Sequence, residues 1–160
     1  MNEAFSNWFA GFVAGEGSFT LYHRPGTKCF AAELSIQLRD DDLDILLEIQ
    51  ENLQAGTVSR YRPRNRDWNP LAQWAVRKRS ECFRIVQIFD AHPLRAKKQR
   101  DFLIWREAVL ELQKSPEQRD TQKLLYLQGK LRFTRNYKGP NGLQEYLPCG
   151  VQLSLPGTIE

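Results

Sequence analysis

Residues 9–17 read FAGFVAGEG, and the spacing of the small residues limits what this segment can become. Gly11 and Gly15 fall one helical turn apart, with Ala10 and Ala14 beside them. A helix over about residues 5–15 therefore presents a face on which a second backbone can approach closely. Two glycines cost such a helix roughly 1–2 kcal/mol relative to alanine, which calls for a compensating contact. Glu16 falls at the C-terminal end, where the helix dipole disfavours an anion. A carboxylate placed there is a candidate ligand for a cation.

The pattern then switches to alternation. Over residues 18–24, Phe19, Leu21 and His23 fall on one side of a strand, and Thr20, Tyr22 and Arg24 on the other. Pro25-Gly26 marks a turn. A strand over 29–39 sends Leu34, Ile36 and Leu38 inward and Glu33, Ser35 and Gln37 outward. Asp40 or Asp41 can cap a helix whose buried stripe is Leu43, Leu46, Leu47 and Ile49, and Gly56 ends that unit. A second hairpin pairs 57–62 with 71–77 around a loop at 63–70. It turns Val58, Trp74 and Val76 inward, and Thr57, Ser59, Tyr61, Gln73, Ala75 and Arg77 outward.

Helices complete the pattern. One runs over 80–89, capped by Ser80, with Cys82, Phe83, Val86 and Ile88 as its apolar positions. His92-Pro93 breaks it, and a longer helix over 96–112 carries Phe102, Leu103, Trp105, Ala108, Val109 and Leu112. Another runs from 115–117 to about 131. The reading is an α+β domain over residues 1–135, followed by a Gly- and Pro-punctuated tail over 136–160.

The outward strand positions hold Arg, Gln, Ser, Thr and Tyr rather than the Lys/Glu mixture of a solvated sheet. Those side chains read base edges and phosphates. Between residues 56 and 79 stand seven Arg and Lys against Asp67 alone, whereas the whole chain carries only +4. The remainder is thus net acidic. Such polarisation marks a phosphate-backbone binder, with double-stranded DNA as the expected partner.

The segment 9–17 resembles the LAGLIDADG motif of homing endonucleases, aligning over nine positions without a gap. Glu16 stands at the family's metal-binding acidic position, with Glu for the commoner Asp. Ala14 stands where the motif name has an acid. The resemblance covers about residues 5–112. It implies the αββαββα fold, with a saddle-shaped antiparallel DNA-binding sheet, here with extra C-terminal helices. It also implies cleavage of both DNA strands across the minor groove, leaving short 3′ overhangs, in support of host intron or intein mobility. Mg²⁺ is the implied cofactor, with Mn²⁺ or Ca²⁺ able to occupy the same site. The family's active-site lysine falls on Lys97, with Lys98 the alternative. Asp40 falls where a polar residue holds active-site water.

The family builds its active sites where two motif helices cross, and this chain carries one motif. A homodimer is therefore expected, joined through Ala10, Gly11, Ala14 and Gly15, on a long and near-palindromic target. On the DNA face the expected contacts are Thr20, Tyr22, Arg24, Glu33, Ser35, Gln37, Thr57, Ser59, Tyr61, Gln73, Ala75, Arg77 and Lys98, with Arg64 and Arg66 on phosphates. A cleavage-inactive nucleic-acid-binding relative, such as a splicing maturase or transcription regulator, is the alternative reading. An unrelated RNA binder would need an aromatic stacking platform, and only Tyr22 and Tyr61 face outward. His23 and His92 read as packing or hydrogen-bonding residues.

Cys29, Cys82 and Cys149 form no CxxC pair, which argues for an intracellular, reducing compartment (prokaryotic cytoplasm, organelle matrix or stroma) and against structural zinc. No stretch of 18 apolar residues is present, so neither a membrane span nor a signal peptide is expected.

Overall fold

The computed structural model describes residues 2–62 and 69–135, so Arg64, Arg66 and the tail over 136–160 lie outside the described residues. Helix α1 (Glu3–Glu16) begins at Asn2, whose Oδ1 accepts the Phe5 N–H at 2.7 Å. That bond satisfies one of the donors left open in a first helical turn. The chain continues through β1 (Gly17–His23), β2 (Phe30–Arg39), a short 3₁₀ turn (Asp40–Asp42) and α2 (Leu43–Leu53). Then come β3 (Thr57–Tyr61), β4 (Leu71–Val76), α3 (Arg79–Ala91), α4 (Ala96–Gln113) and α5 (Thr121–Arg135). The αββαββα order expected from the sequence is present in α1 to α3, with α4 and α5 added.

The four strands form one antiparallel sheet in the order β1-β2-β4-β3. The hairpins join through their second strands, which leaves β1 and β3 at the edges. One face is apolar: Phe19, Leu21, Leu34, Ile36, Trp74 and Val76 are all buried. An aromatic cluster of Phe9, Phe19, Phe89, Phe102 and Trp105 fills the space between that face and the helices. Each such side chain contributes about 1.5–3 kcal/mol through burial. Trp74 also donates its indole N–H to the Ala55 carbonyl at 3.0 Å. Gly56 beside it has φ +81°, and a Cβ there would stand 2.5 Å from the Trp74 Nε1, so the position requires glycine on two counts.

Helical phase is where the sequence reading departs from the structure. Leu47 and Leu103 are exposed rather than inward. The buried stripe of α2 is Leu46, Ile49 and Leu53, at i, i+3 and i+7, and Leu47 falls off that line. In α3 Ile85 and Phe89 join Cys82 and Val86 in the core, while Phe83 and Ile88 pack only partly against it. Helix α5 docks through Leu124, Leu127 and Leu131, and the buried Gln128 donates to the Leu21 carbonyl at 2.8 Å. The buried Glu111 fixes the α4–α5 connection by accepting from the Asp120 N–H at 2.9 Å and from Lys114 at 2.8 Å. Burial pushes this carboxyl up, but those two donors and Lys123 outweigh it and hold it below its ordinary range. No described helix is long and apolar enough to cross a membrane.

Candidate active site

Helix α1 divides cleanly between two faces. Phe5, Phe9 and Val13, with Ser6 and Ala10, point into the core. Ala10 is only 5% exposed, so it packs within the protomer and is not available to the interface expected of it. The opposite face carries Ala4, Trp8, Gly11 and Gly15 exposed, with Phe12 and Ala14 at its margin. A Cβ added at Gly11 or Gly15 meets nothing within 4 Å. Neither glycine is therefore required by packing inside the protomer. Trp8, 38% exposed and stacked on Phe12 at 5.1 Å, shares this face. Sequence reasoning missed it, although its i, i+3, i+7 spacing to Gly11 and Gly15 was the available signal.

Gly17 is glycine for a different reason. Its φ of −71° is ordinary, but a Cβ would stand 2.6 Å from the Val13 Cγ1 and 2.7 Å from the Val13 carbonyl oxygen. The close approach lets the chain pass from the last helical residue, Glu16, directly into β1. Glu16 is exposed at this junction. The Lys98 ammonium donates to the Gly17 carbonyl at 2.5 Å, 81 residues along the chain. Of the two candidate lysines, Lys98 is thus seen against the residue that follows Glu16, and Lys97 is exposed on the same first turn of α4. Ala96, which opens that turn, has φ +53°. This left-handed conformation costs a non-glycine residue roughly 1–2 kcal/mol, a local strain of the kind found where side chains are aimed for function.

Asp40 opens the 3₁₀ turn after β2 and is engaged elsewhere. Its carboxylate binds the Arg60 guanidinium through two hydrogen bonds, one of them Nε to Oδ1 at 2.6 Å. The Arg60 hydrogen bond, aided by the charges of Arg60 and Arg62, holds the Asp40 carboxyl below its ordinary range. The structure ties Asp40 to β3, and its expected role in holding active-site water finds no direct support in its contacts. Among the described residues no three His, Cys, Asp or Glu side chains gather into a metal cage. Glu16 offers a single hard oxygen ligand, which fits Mg²⁺ only when phosphate oxygens, waters or a second carboxylate complete the shell.

The open face of the sheet carries four rows across its strands. They are Thr20, Glu33 and Arg77; Ser18, Ser35, Ala75 and Thr57; Gln37, Gln73 and Ser59; and Arg39, Leu71 and Tyr61. Tyr22 and Arg24 extend the face at one end, both exposed. Three expected contacts do not reach outward. Ser35 and Ala75 are buried, because short side chains in mid-sheet lie beneath longer neighbours. Glu33 is buried by Tyr22 and Arg77, which both bond to it. The Tyr61 hydroxyl donates to the Gln73 Oε1 at 3.1 Å and so orients that amide.

The basic segment is also less basic than its composition implies. Arg60 pairs with Asp40, Arg77 with Glu33 and Lys78 with Glu81. His23 bonds to the Thr27 carbonyl at 2.8 Å and stacks on Phe30, and His92 bonds to Asn7 at 2.9 Å, so both are engaged structurally. Burial pushes the Cys82 thiol up to about 12, which keeps it protonated and inert.

The family model of the LAGLIDADG endonucleases matches residues 9–109, from the small-residue helix through both hairpins and most of α4. The chain belongs to that family. It is 26% identical over 113 residues to the probable intron-encoded endonuclease Cox1-I1b of Schizosaccharomyces pombe, covering 69% of this chain but 28% of that protein. Among solved structures it is similar to the homing endonuclease I-TnaI, at 23% identity and TM-score 0.66, over 87% of this chain and 92% of the other. It is also similar to I-SmaMI, described as bound to uncleaved DNA target in the presence of calcium ions, at 17% identity and TM-score 0.70. There the match covers 83% of this chain and 45% of the other. The LAGLIDADG domain here therefore spans under a third of the fungal relative, about half of I-SmaMI and nearly all of I-TnaI.

Proposed function

We propose that this chain is a site-specific DNA endonuclease of the LAGLIDADG type, acting as a C2 homodimer with a divalent cation, Mg²⁺ in the first instance. The observation that carries this reading is the end of α1. An exposed Glu16 closes a helix whose Gly11 and Gly15 face is uncovered, with the Lys98 ammonium on the next residue's carbonyl. Crossing two such helices brings two copies of Glu16 together, which supplies the second carboxylate that one protomer lacks. The interface consists of Trp8, Gly11, Ala14 and Gly15. The I-TnaI chain, 92% of which this chain covers, is about the size of one such domain.

A bound divalent cation supplies charge neutralisation and a water of lowered pKa for phosphodiester hydrolysis. Glu16 would hold the cation as an anionic oxygen ligand. Lys98 places a positive charge beside the same backbone turn, where negative charge develops on the phosphate. The sheet positions the duplex: Arg24, Arg39, Arg77, Thr57, Gln37 and Gln73 offer donors along it. Strand β2 has 10 residues, about 33 Å of sheet, which corresponds to roughly 10 base pairs per protomer. The target is then about 20 base pairs long and near-palindromic. Support of host intron or intein mobility, as in the family at large, follows from such a cut.

The test is incubation of the purified chain with randomised duplexes and Mg²⁺, followed by sequencing of the new ends. The expected result is paired cuts on both strands, with short 3′ overhangs, inside a two-fold-related sequence. A selected pool that is bound specifically yet left intact in both Mg²⁺ and Mn²⁺ overturns the nuclease reading in favour of a cleavage-inactive binding protein.

A further inference from the structure

We infer that Glu33 is a specificity-determining positioning residue, whose work is to aim the Arg77 guanidinium at one guanine in each half of the DNA target. The inference rests on the DNA-binding reading of the open sheet face. Glu33 is the odd member of that face. Its carboxylate stands among the strand positions turned toward an expected polyanion, which is the wrong charge for a direct contact with phosphate. Yet its side chain is only 4% exposed, while that of Arg77 is 53% exposed.

The two carboxylate oxygens have separate partners. Oε1 accepts from the Tyr22 hydroxyl at 3.2 Å, and Oε2 accepts from the Arg77 Nε–H. Tyr22 comes from β1, Glu33 from β2 and Arg77 from the position just after β4, so the strand register fixes their relative positions. Thr20 pairs with Glu33, which makes Tyr22 the diagonal neighbour, and continuing the β2–β4 ladder past Leu34 and Val76 sets Arg77 opposite Glu33.

The chemistry follows from the shape of a guanidinium. Five N–H donors lie in one plane, and a carboxylate on Nε sets the direction of that plane. The outer edge, formed by the two terminal nitrogens, then faces away from the sheet. That edge matches O6 and N7 of guanine, which adenine, cytosine and thymine do not reproduce. An arginine free to rotate would bind any nearby phosphate instead. The Tyr22 hydroxyl completes the device by holding the carboxylate itself in place.

The experiment is selection from a fully randomised duplex library by the intact chain in Ca²⁺, a probe condition chosen to favour binding over cleavage. Wild type, Glu33→Gln, Arg77→Lys and Tyr22→Phe are compared, and affinity for unselected duplex is measured in parallel. Wild type is expected to enrich guanine at one position per half-site. Arg77→Lys and Glu33→Gln should each reduce that preference about 10- to 100-fold at the same position and leave other positions unchanged. Tyr22→Phe should weaken it several-fold. Affinity of Glu33→Gln for unselected duplex should hold or rise, because an anion has left the face, whereas a damaged fold would lose affinity for every sequence. The inference is overturned if Glu33→Gln keeps the guanine preference that Arg77→Lys loses, or if Arg77→Lys loses none. Should Glu33→Gln fail to fold, an unchanged preference in Tyr22→Phe overturns it. A wild-type chain that enriches no sequence refutes the DNA reading itself, a different and recognisable failure.

Discussion

Replacing Gly11 and Gly15 with alanine separates the needs of the protomer from those of a dimer. Within the protomer an added methyl meets nothing within 4 Å at either position. Helix propensity then acts alone and favours alanine by about 1 kcal/mol at Gly11, and by less at Gly15, which is one residue from the helix end. The double variant should stabilise the isolated protomer by about 1–2 kcal/mol. For a domain of this size that raises Tm by about 2–4 °C per kcal/mol, measured at concentrations where protomers separate. Across a helix crossing the same methyls hold two backbones apart, and overpacking of this kind costs about 1–3 kcal/mol. Dimerisation should therefore weaken about 5- to 150-fold, read by sedimentation across a concentration series. Cleavage should fall with it, and Gly15→Leu should abolish both while the monomer still folds. If the alanine variants raise Tm and leave dimerisation and cleavage unchanged, the glycines do not mark a crossing and the assembly reasoning fails.

Two further outcomes follow from the contacts. Lys98→Met should slow cleavage by about 10²-fold or more with DNA affinity kept within about tenfold, and Lys97→Met should cost less. The reverse ranking in single-turnover assays would show that the ammonium at the Gly17 carbonyl is not the one that acts. Glu81 accepts the Gly56 N–H at 2.9 Å and pairs with Lys78. Burial pushes its carboxyl up, but the Gly56 and Lys78 hydrogen bonds and the charges of Lys78 and Arg84 outweigh this and hold it below its ordinary range. A depressed carboxyl contributes stability above its unfolded pKa of about 4.3 and loses it as pH falls through the folded value. Glu81→Gln should thus cost about 1 kcal/mol at pH 7, with the gap to wild type closing below about pH 4 in urea melts. A gap constant with pH would contradict the ionic account.

Local periodicity carried most of the fold. Alternation placed Phe19 and Leu21, Leu34 and Ile36, and Trp74 and Val76 on the buried face, where the structure has them. The motif fixed Glu16 at a helix end because the spacing of Gly11, Gly15 and Gly17 leaves little else for that segment to be. What was illegible depends on partners distant in sequence. Alternation sends Glu33 outward, but its burial is the work of Tyr22 and Arg77, 11 and 44 residues away. Asp40 is claimed by Arg60 from 20 residues on, and no spacing rule announces that pairing. Ala10 is buried and Trp8 exposed because a helix with apolar residues on both faces does not declare which one its own core will cover. The Lys98–Gly17 contact spans 81 residues and follows an alanine at positive φ that sequence does not reveal.

The most direct test of the account is Glu16→Gln, assayed for double-strand cleavage of the selected target across a Mg²⁺ series with DNA affinity measured on the same samples. Glutamine keeps the size of the side chain at this exposed helix end and removes the anionic ligand. Affinity within about tenfold of wild type and no cleavage at any Mg²⁺ concentration are expected. Cleavage by the variant at the wild-type rate would contradict this, because the carboxylate at the end of α1 would then have no part in the chemistry.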